Sequence, residues 1–425
     1  MREMKDSGIE WIGNIPATWE RCKIKNVISS IGSGTTPTSS NIDYYNSEDI
    51  CWIQSGDLYK TSYISNTAVS LSAKALHLSA LQIYAAPFIV VAMYGASVGN
   101  IAISTIDACS NQACCCIKPD TNNDLKFMYY WLSMCKIDFL SQSIGGGQPN
   151  ISQSKIKNQF YYRPQLSEQK VIANFLDSKC SEIDAISADI QKEIETLEQY
   201  KRSVITEAVT KGLNPDAEMK DSGIEWVGNI PAHWDVHPLY YYFSERKRKN
   251  YLGEEQNLLS LSYGKVIRKD INTSEGLLPD SFNGYNIIEP GDIVLRLTDL
   301  QNDKRSLRTG LVTEHGIITS AYVTLKAAKE VVPEYFHYLL HAYDVMKVLY
   351  NMGNGVRQGL NYSELSKLHI VAPPIDEQKN IAAYLDAKCK EIESIIESKK
   401  QQLTVIDSYK KSLIYEYVTG KKEVV

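Results

Sequence analysis

Two long stretches of the chain place hydrophobic residues seven positions apart among polar ones. The first stretch, residues 167–210, contains no proline or glycine and is rich in Glu, Lys, Ala, Ile and Leu. Apolar residues at heptad spacing predict a helix that packs along one seam. The seam positions are Leu176, Ile183, Ile190, Leu197 and Val204 in the first stretch and Leu385, Ile392, Ile406 and Leu413 in the second. Lys399 interrupts the second seam.

The predicted helices are unusually long. About 44 helical residues span roughly 65 Å, and an apolar seam of that length requires a partner helix. Because the chain carries the pattern twice, we expect the two helices to pack antiparallel within one chain. A coiled coil that joins two chains is the alternative.

The sequence around these helices is a duplication. Residues 4–20 (MKDSGIEWIGNIPATWE) and 219–235 (MKDSGIEWVGNIPAHWD) differ at only three of seventeen positions, and we call each copy an opening motif. The helices also begin alike, with PQLSEQKVIANFLDSKC at 164–180 and PPIDEQKNIAAYLDAKC at 373–389. Internal repeats of this kind indicate a fold built from equivalent units.

The segments between the repeated parts show little similarity to each other. They cover residues 21–163 and 236–372. Because the frame repeats while these inserts differ, the pattern favours a protein that reads two different half-targets on one scaffold.

Each insert predicts a mixed domain. Short apolar runs rich in Val, Ile and Tyr, separated by turn residues, are typical of strands, and a short helix is expected near the end of each insert. We therefore predict an α+β fold with two mixed α/β domains separated by an antiparallel pair of coiled-coil helices. The boundaries are 1–163 for the first domain, 164–214 for the central helix, 215–372 for the second domain and 373–425 for the C-terminal helix.

The charge distribution indicates that partners take part in any nucleic-acid binding. The net charge is −5 and the pI is near 5.9, whereas nucleic-acid-binding domains usually carry a basic surface. Residues 164–218 hold eleven acidic and six basic residues, and the two inserts are close to neutral. We expect local clusters or partner subunits to supply much of the phosphate neutralisation.

The cysteines and the N-terminus bear on location. The nine cysteines include the consecutive Cys114, Cys115 and Cys116 and form no CxxC pair, which predicts buried thiols rather than disulfides or a zinc site. The chain begins without a basic-then-apolar leader, and its longest apolar stretch is too short for a membrane span. We expect a soluble cytoplasmic protein that binds no metal.

Three polar loops are candidates for DNA contact. Hydroxyls and backbone N–H groups of a threonine-rich loop can contact phosphates, although an ordinary surface turn is equally consistent with it. Two glycine-containing loops occupy equivalent places in the two halves, where Gln and Asn can pair with adenine and Arg with guanine, unless they are mere connections. The candidate residues in these loops are Gly34, Thr35, Thr36 and Thr38, then Gly146, Gln148 and Asn150, and finally Arg357 and Gln358.

Two basic clusters in the second insert are candidates for phosphate contact. Clustered Lys and Arg side chains provide the sequence-independent part of DNA binding, although a solvated protein face has the same composition. The clusters are Arg246, Lys247 and Arg248, and the set Arg296, Lys304, Arg305 and Arg308.

No catalytic motif is present in the sequence. We find no GxxxxGK[ST] phosphate loop, no HExxH, no dinucleotide-binding GxGxxG and no Asn-Pro-Pro-aromatic element. We therefore predict no catalytic residues and no metal ligands on this chain.

The repeated motifs resemble those of type I restriction-modification specificity subunits. DSGIEWIGNIPATWE and its second copy are similar to the openings of that family's two halves, and PQLSEQKVIANFLD and PPIDEQKNIAAYLD to the starts of its spacer helices. GTTPTS and MYGASVG resemble elements of its target-recognition domains, which adds Tyr94 and Ser97 as candidate DNA contacts. Lys155 is a further candidate at the end of SIGGGQPNISQSK (143–155), a segment of the first half that faintly echoes NMGNGVRQGLNYSELSK (351–367) in the second.

The resemblance implies a division of labour between subunits. Each mixed domain would be a target-recognition domain that reads one half-site of an asymmetric, interrupted sequence in double-stranded DNA. Two modification subunits would methylate adenine with S-adenosylmethionine, restriction subunits would use ATP and Mg, and this chain would bind none of these cofactors. Two alternatives remain open, namely a coiled-coil adaptor protein and a DNA methyltransferase or nuclease with a cryptic active site.

Overall fold

The computed structural model describes residues 2–59, 61–79, 81–141, 143, 149–271, 279, 281–300, 307–352 and 359–424. Contacts divide the chain into two units. Unit 1 comprises Met1–Ile190 and Gln401–Val425, and unit 2 comprises Gln191–Lys400. Each unit therefore contains one insert together with part of both long segments.

Two of the helices are far longer than the others. The helices of the described residues are α1 (Ala73–Leu78), α2 (Leu125–Met134), α3 (Lys136–Ser141), α4 (Gln153–Asn158), α5 (Leu166–Lys211), α6 (Pro333–Val345), α7 (Tyr362–Leu365) and α8 (Ile375–Val418). α5 has 46 residues and α8 has 44. Together with the mixed sheets of unit 1 and the antiparallel sheets of unit 2, they confirm the predicted α+β class.

Unit 1 is built on a sheet of five strands in the order β4-β11-β8-β9-β6 and a second sheet in the order β10-β5-β7. The central strand β8 (FIVVA) is buried at every position, as a continuous apolar run predicts. The strands of this unit are β1 (Met4–Asp6), β2 (Asn14–Pro16), β3 (Glu20–Lys23), β4 (Ile28–Ser33), β5 (Tyr45–Ile53), β6 (Tyr63–Ile64), β7 (Ser70–Leu71), β8 (Phe88–Ala92), β9 (Ile101–Ser104), β10 (Ala108–Ser110), β11 (Cys114–Pro119) and β12 (Phe160–Arg163).

Unit 2 repeats the strand order of unit 1 despite its unlike sequence. Its main sheet has the order β16-β23-β20-β21, which matches β4-β11-β8-β9 strand for strand. The strands are β13 (Met219–Asp221), β14 (Asn229–Pro231), β15 (Asp235–Pro238), β16 (Phe243–Glu245), β17 (Leu259–Ser262), β18 (Lys265–Arg268), β19 (Asn286–Ile288), β20 (Ile293–Leu295), β21 (Thr309–Leu311), β22 (Gly316–Ile318), β23 (Val323–Ala327) and β24 (His369–Ala372). The duplication therefore extends through the inserts.

The start of α5 packs against the end of α8 within unit 1. Leu176 of α5 and Leu413 of α8 share one hydrophobic core. Lys410 Nζ lies 2.7 Å from Asp184 Oδ1 on the exposed side of this contact. The two segments therefore run in opposite directions.

The end of α5 packs in the same way against the start of α8 within unit 2. Val209 and Leu385 share the core of this unit. Lys201 forms an ion pair with Glu393, and these two positions are the sequence equivalents of Lys410 and Asp184. One antiparallel contact is thus built twice from the duplicated helix.

No seam position predicted from the heptads is exposed. Leu176, Ile183, Leu385, Ile392 and Leu413 are buried. The half-buried ones are Ile190, Leu197, Val204 and Ile406. Lys399, where the seam is interrupted, forms an ion pair with Glu193. A lysine is tolerated there because its charge reaches a carboxylate at the edge of the seam.

Each opening motif packs on a helix end. In unit 1, Tyr415 Oη of α8 donates hydrogen bonds to the carbonyls of Trp11 and Ile12 at 3.0 and 2.9 Å. In unit 2, a Cβ placed on Gly212, just after α5, would lie 3.3 Å from the Trp234 ring. The motif is therefore part of the fold at the end of each long helix.

All nine cysteines are free. Cys114, Cys115 and Cys116 are buried in β11, and burial raises the pKa of the Cys116 thiol to about 12.

Among the helices of the described residues, none is long and apolar enough to cross a membrane.

Candidate nucleic-acid interface

Three loops of unit 1 emerge from the same end of the five-stranded sheet. β11 lies between β4 and β8 and is antiparallel to both. The residues that follow β4, precede β11 and follow β8 therefore meet at one end. We call residues 34–38, 111–113 and 93–99 together the loop edge of unit 1.

The threonine-rich loop is fixed to the sheet at its start and exposed farther on. A Cβ on Gly34 would lie 1.6 Å from the Ser110 carbonyl oxygen, so only glycine fits there. The Thr35 carbonyl accepts a hydrogen bond from Trp52 Nε1 at 3.3 Å. The side chains of Thr36 and Thr38 are exposed and remain candidates for DNA contact.

A second cluster of predicted residues forms around Tyr94. Its side chain is 44% exposed, and its carbonyl accepts a hydrogen bond from Ser97 Oγ at 2.8 Å. Tyr94 pairs with Asn150 in an isolated β-bridge, and Gly95 N donates to the Pro149 carbonyl at 2.8 Å. The structure thus brings Asn150 to Tyr94 and Ser97, although Asn150 is far from both in sequence.

Lys155 lies in a cleft rather than on the loop edge. The cleft has a volume of about 360 Å³. Lys155 belongs to α4, which is capped by the Ser152 side chain. The lining residues are Ile9, Trp11, Asp138, Ser154, Lys155, Asn158, Gln159 and Phe160. The cleft is therefore lined by residues of both the opening motif and the insert of unit 1.

Gln112 is a loop-edge residue that the sequence reasoning missed. It is exposed, and its Oε1 accepts a hydrogen bond from Thr36 Oγ1 at 2.5 Å. A glutamine amide can pair with adenine in the major groove. The sequence feature that could have identified Gln112 is a polar turn immediately before the buried strand β11.

The basic run in unit 2 is largely paired with acidic residues. Arg246 Nε lies 2.5 Å from Asp292 Oδ2 and its side chain is only 15% exposed. Lys247 pairs with Glu245 at 2.8 Å. These ion pairs offset much of the positive charge expected from the sequence.

Arg248 and His315 share an acidic neighbour at the surface. Arg248 Nη1 lies 3.3 Å from Glu289 Oε1, and His315 Nδ1 lies 2.7 Å from Glu289 Oε2. The hydrogen bond to Glu289 raises the pKa of His315.

Among the described residues, no group of three or more His, Cys, Asp or Glu side chains is placed to hold a metal ion.

Arg308 corrects a prediction, because its side chain is fully buried. Its Nη1 donates to the backbone carbonyls of Arg296 and Thr298 at 3.1 and 2.8 Å, and its Nη2 donates to the backbone carbonyl of Asp299 at 3.2 Å. The guanidinium satisfies its donors inside the protein, so the expected phosphate contact is wrong for this residue. Arg308 instead fixes the backbone of the loop that carries the half-buried Arg296.

Several candidates lie outside the described residues. The residues that follow two of the loops containing these candidates make equivalent backbone hydrogen bonds in the two units. Ile151 N donates to the Met93 carbonyl in unit 1, and Leu360 N donates to the Leu297 carbonyl in unit 2, both at 2.9 Å. The residues that follow the two glycine-containing loops are therefore attached at equivalent places in the two units. The candidates outside the described residues are Gly146, Gln148, Lys304, Arg305, Arg357 and Gln358.

One family profile matches most of the chain. It is described as "Type I restriction modification DNA specificity domain" and matches residues 16–196 and 286–405. These ranges include parts of both inserts and of both long helices.

Similar proteins carry related descriptions. The type I restriction enzyme MjaX specificity subunit of Methanocaldococcus jannaschii is 27% identical over 283 residues, which are 65% of this chain and 62% of that protein. The MjaVIII specificity subunit of the same organism is 25% identical over 315 residues, or 70% of each chain. The MjaIX specificity subunit is 24% identical and aligns with 97% of this chain and 95% of its own length.

A solved structure shares the fold. It is described as "Structural basis underlying complex assembly and conformational transition of the type I R-M system". The superposition has a TM-score of 0.69 at 12% identity and covers 95% of this chain and 98% of the other.

Proposed function

The chain belongs to the type I restriction-modification DNA specificity family, and we propose that it selects the DNA target for a type I restriction-modification complex. Each unit reads one half-site of an interrupted, asymmetric sequence in double-stranded DNA. Family membership and the fold of both units support this proposal.

One observation carries the proposal. The two units have the same strand order but unlike side chains at the equivalent ends of their sheets. Unit 1 presents Thr36, Gln112 and Tyr94 there, whereas the corresponding loop of unit 2 carries Arg296. Because base readout depends on side-chain donors, acceptors and apolar groups, equivalent frames with different side chains suit two different half-sites.

The chemistry belongs to partner subunits in this proposal. Modification subunits bind S-adenosylmethionine and methylate adenine, restriction subunits bind ATP and Mg, and this chain is non-catalytic. Its cytoplasmic location follows from the same role, because the target DNA lies there.

The duplicated opening motif suggests where two copies of one partner bind. Glu10 and Trp11 recur as Glu225 and Trp226, and all four are exposed. Trp11 and Trp226 are 39% and 41% exposed, and neither glutamate makes a hydrogen bond or ion pair with a described residue. The fold therefore does not explain the two glutamates, whereas the Trp226 ring makes an edge-to-face contact with Tyr343 at a centroid distance of 6.2 Å and keeps its remaining surface exposed. An exposed tryptophan is typical of an interface hot spot. The two opening motifs therefore provide two equivalent surfaces, one for each of two modification subunits.

The proposal is tested by exchanging one insert. Residues 21–163 are replaced with the first insert of another family member, and methylated adenines are sequenced in cells that also express the modification subunits. We expect one half-site to change and the other to stay. The reciprocal exchange of residues 236–372 is the matched control and must change the other half-site. Altered bases in both half-sites from one exchange would contradict the proposal that each insert reads one half-site.

A further inference from the structure

A β-ribbon in unit 2 forms its own two-stranded sheet. β17 and β18 are antiparallel, with Leu261 opposite Val266 and Ser262 opposite Lys265. Only Tyr263 and Gly264 connect the two strands. The ribbon is therefore a tight hairpin with two distinct faces.

The inner face of the ribbon is anchored to the main sheet. A Cβ on Gly310 of β21 would lie 2.5 Å from Leu261 Cδ1 and 3.0 Å from Val266 Cγ2. Glycine at this position lets the ribbon lie directly on β21. The ribbon is thus held at a defined place on the domain.

The outer face carries short polar groups and one apolar side chain. It consists of Ser260, Ser262, Lys265 and Ile267, with no acidic residue among them. Ile267 is 46% exposed, and the Lys265 side chain is 70% exposed, with Nζ 3.5 Å from Glu393 Oε2. This face offers hydroxyl groups, an ammonium group and a methyl-bearing side chain to a ligand.

The fold does not explain the tyrosine at the tip. Tyr263 is 87% exposed and makes no hydrogen bond or ring contact with a described residue. Its φ is +45° and that of Gly264 is +80°, as in a type I′ turn, where Asn-Gly is preferred. A tyrosine at positive φ costs free energy, and such strain is typical of functional positions.

The tip lies beside the candidate interface of unit 2. A Cβ on Gly264 would lie 3.1 Å from Leu307 Cδ1. Leu307 precedes the buried Arg308, which fixes the loop that carries Arg296. The ribbon and this loop therefore adjoin.

We propose that the ribbon, residues 259–268, enters the major groove of the DNA and reads bases of the half-site assigned to unit 2. This inference rests on the proposed function. The major groove accommodates a two-stranded β-ribbon. Ser260 and Ser262 donate to base edges, Ile267 contacts a thymine methyl group, and Tyr263 packs on the nucleic acid beyond the turn.

The composition of the face favours DNA over a protein partner. Protein interfaces centre on larger apolar and aromatic anchors with few charges at the core, whereas small hydroxyl side chains and lysine are typical contacts to bases and phosphates. Contact of this face with a protein partner is therefore one of the outcomes that the test distinguishes.

The test uses the complex of this chain with its modification subunits. The first variant is Tyr263→Asn, which retains the preferred turn sequence and removes the ring. The second replaces Ser260 and Ser262 with alanine. The matched control is Tyr251→Asn, because Tyr251 is 76% exposed in the same unit and lies outside the ribbon. Dissociation constants are measured on a duplex with the target sequence identified for the unmodified complex, and methylated adenines are sequenced in cells.

We expect each ribbon variant to weaken DNA binding about tenfold or more and to relax bases in one half-site only, while Tyr251→Asn behaves like the unmodified complex. Unchanged affinity and sequence preference in both ribbon variants would overturn the inference and leave the proposed function intact. Loss of subunit assembly with unchanged half-site preference would show a protein contact and also overturn it. If the unmodified complex has no two-part target, the proposed function itself fails.

Discussion

Shortening both long helices should shorten the unread gap of the DNA target. The perturbation removes residues 190–196 from α5 and 398–404 from α8. Seven residues are one heptad, so the seam keeps its phase, and the paired Glu193 and Lys399 leave together.

The size of the expected change follows from helix geometry. Seven residues at 1.5 Å each shorten a helix by about 10 Å, which corresponds to about three base pairs at 3.4 Å each. Each base pair also rotates the DNA by roughly 34°, since a turn contains about 10.5 base pairs. We therefore expect a gap shorter by about one to three base pairs, with three as the limit set by length.

The assay is sequencing of methylated adenines in cells that express the variant with the modification subunits. The double substitution Glu193→Ala and Lys399→Ala is the matched control, because it removes the same ion pair without changing the helix length. A variant with the same two heptads duplicated should lengthen the gap. A deletion variant that still methylates DNA with an unchanged gap, or with changed half-site bases, would refute the reasoning.

Three further predictions concern single side chains. Trp11→Ala and Trp226→Ala should each weaken the binding of one modification subunit about 30-fold, the effect of losing a 2 kcal/mol hot spot, and native mass spectrometry that shows full assembly of the double variant would contradict this. Arg308→Leu should lower the free energy of unfolding by about 2–4 kcal/mol because buried carbonyls lose their donors. The control Arg248→Leu, at the surface, should change it by at most about 0.5 kcal/mol. Equal urea midpoints for the two variants would be inconsistent with a stabilising role of the buried Arg308 side chain. Tyr263→Asn should raise the free energy of unfolding by about 1 kcal/mol because asparagine tolerates positive φ, and a lower midpoint would exclude strain at the tip.

The scaffold could be predicted because its signals are local and repeated. Heptad spacing requires only regular apolar positions, and it indicated both α5 and α8. The opening motifs were visible as near-identical strings. The common strand order of the two inserts was not visible, because a sheet tolerates many apolar side chains at each buried position and the loop residues differ.

The interface was predicted less completely for physical reasons. Arg308 has the residue type of a phosphate contact, and only the fold shows that carbonyls enclose it. Gln112 becomes a candidate only because antiparallel strands bring its turn beside Thr36. The Tyr263–Gly264 turn lacks the Asn-Gly sequence that marks a hairpin, so the ribbon gave no clear signal.

The central claim is that two unlike domains on one duplicated scaffold select a two-part DNA sequence. Sequencing methylated adenines in otherwise identical cells with and without this gene tests it most directly. The account predicts an asymmetric motif of two short half-sites separated by unread bases, present only when the gene is present. An identical methylation pattern in both cells, or a single uninterrupted motif, would contradict it.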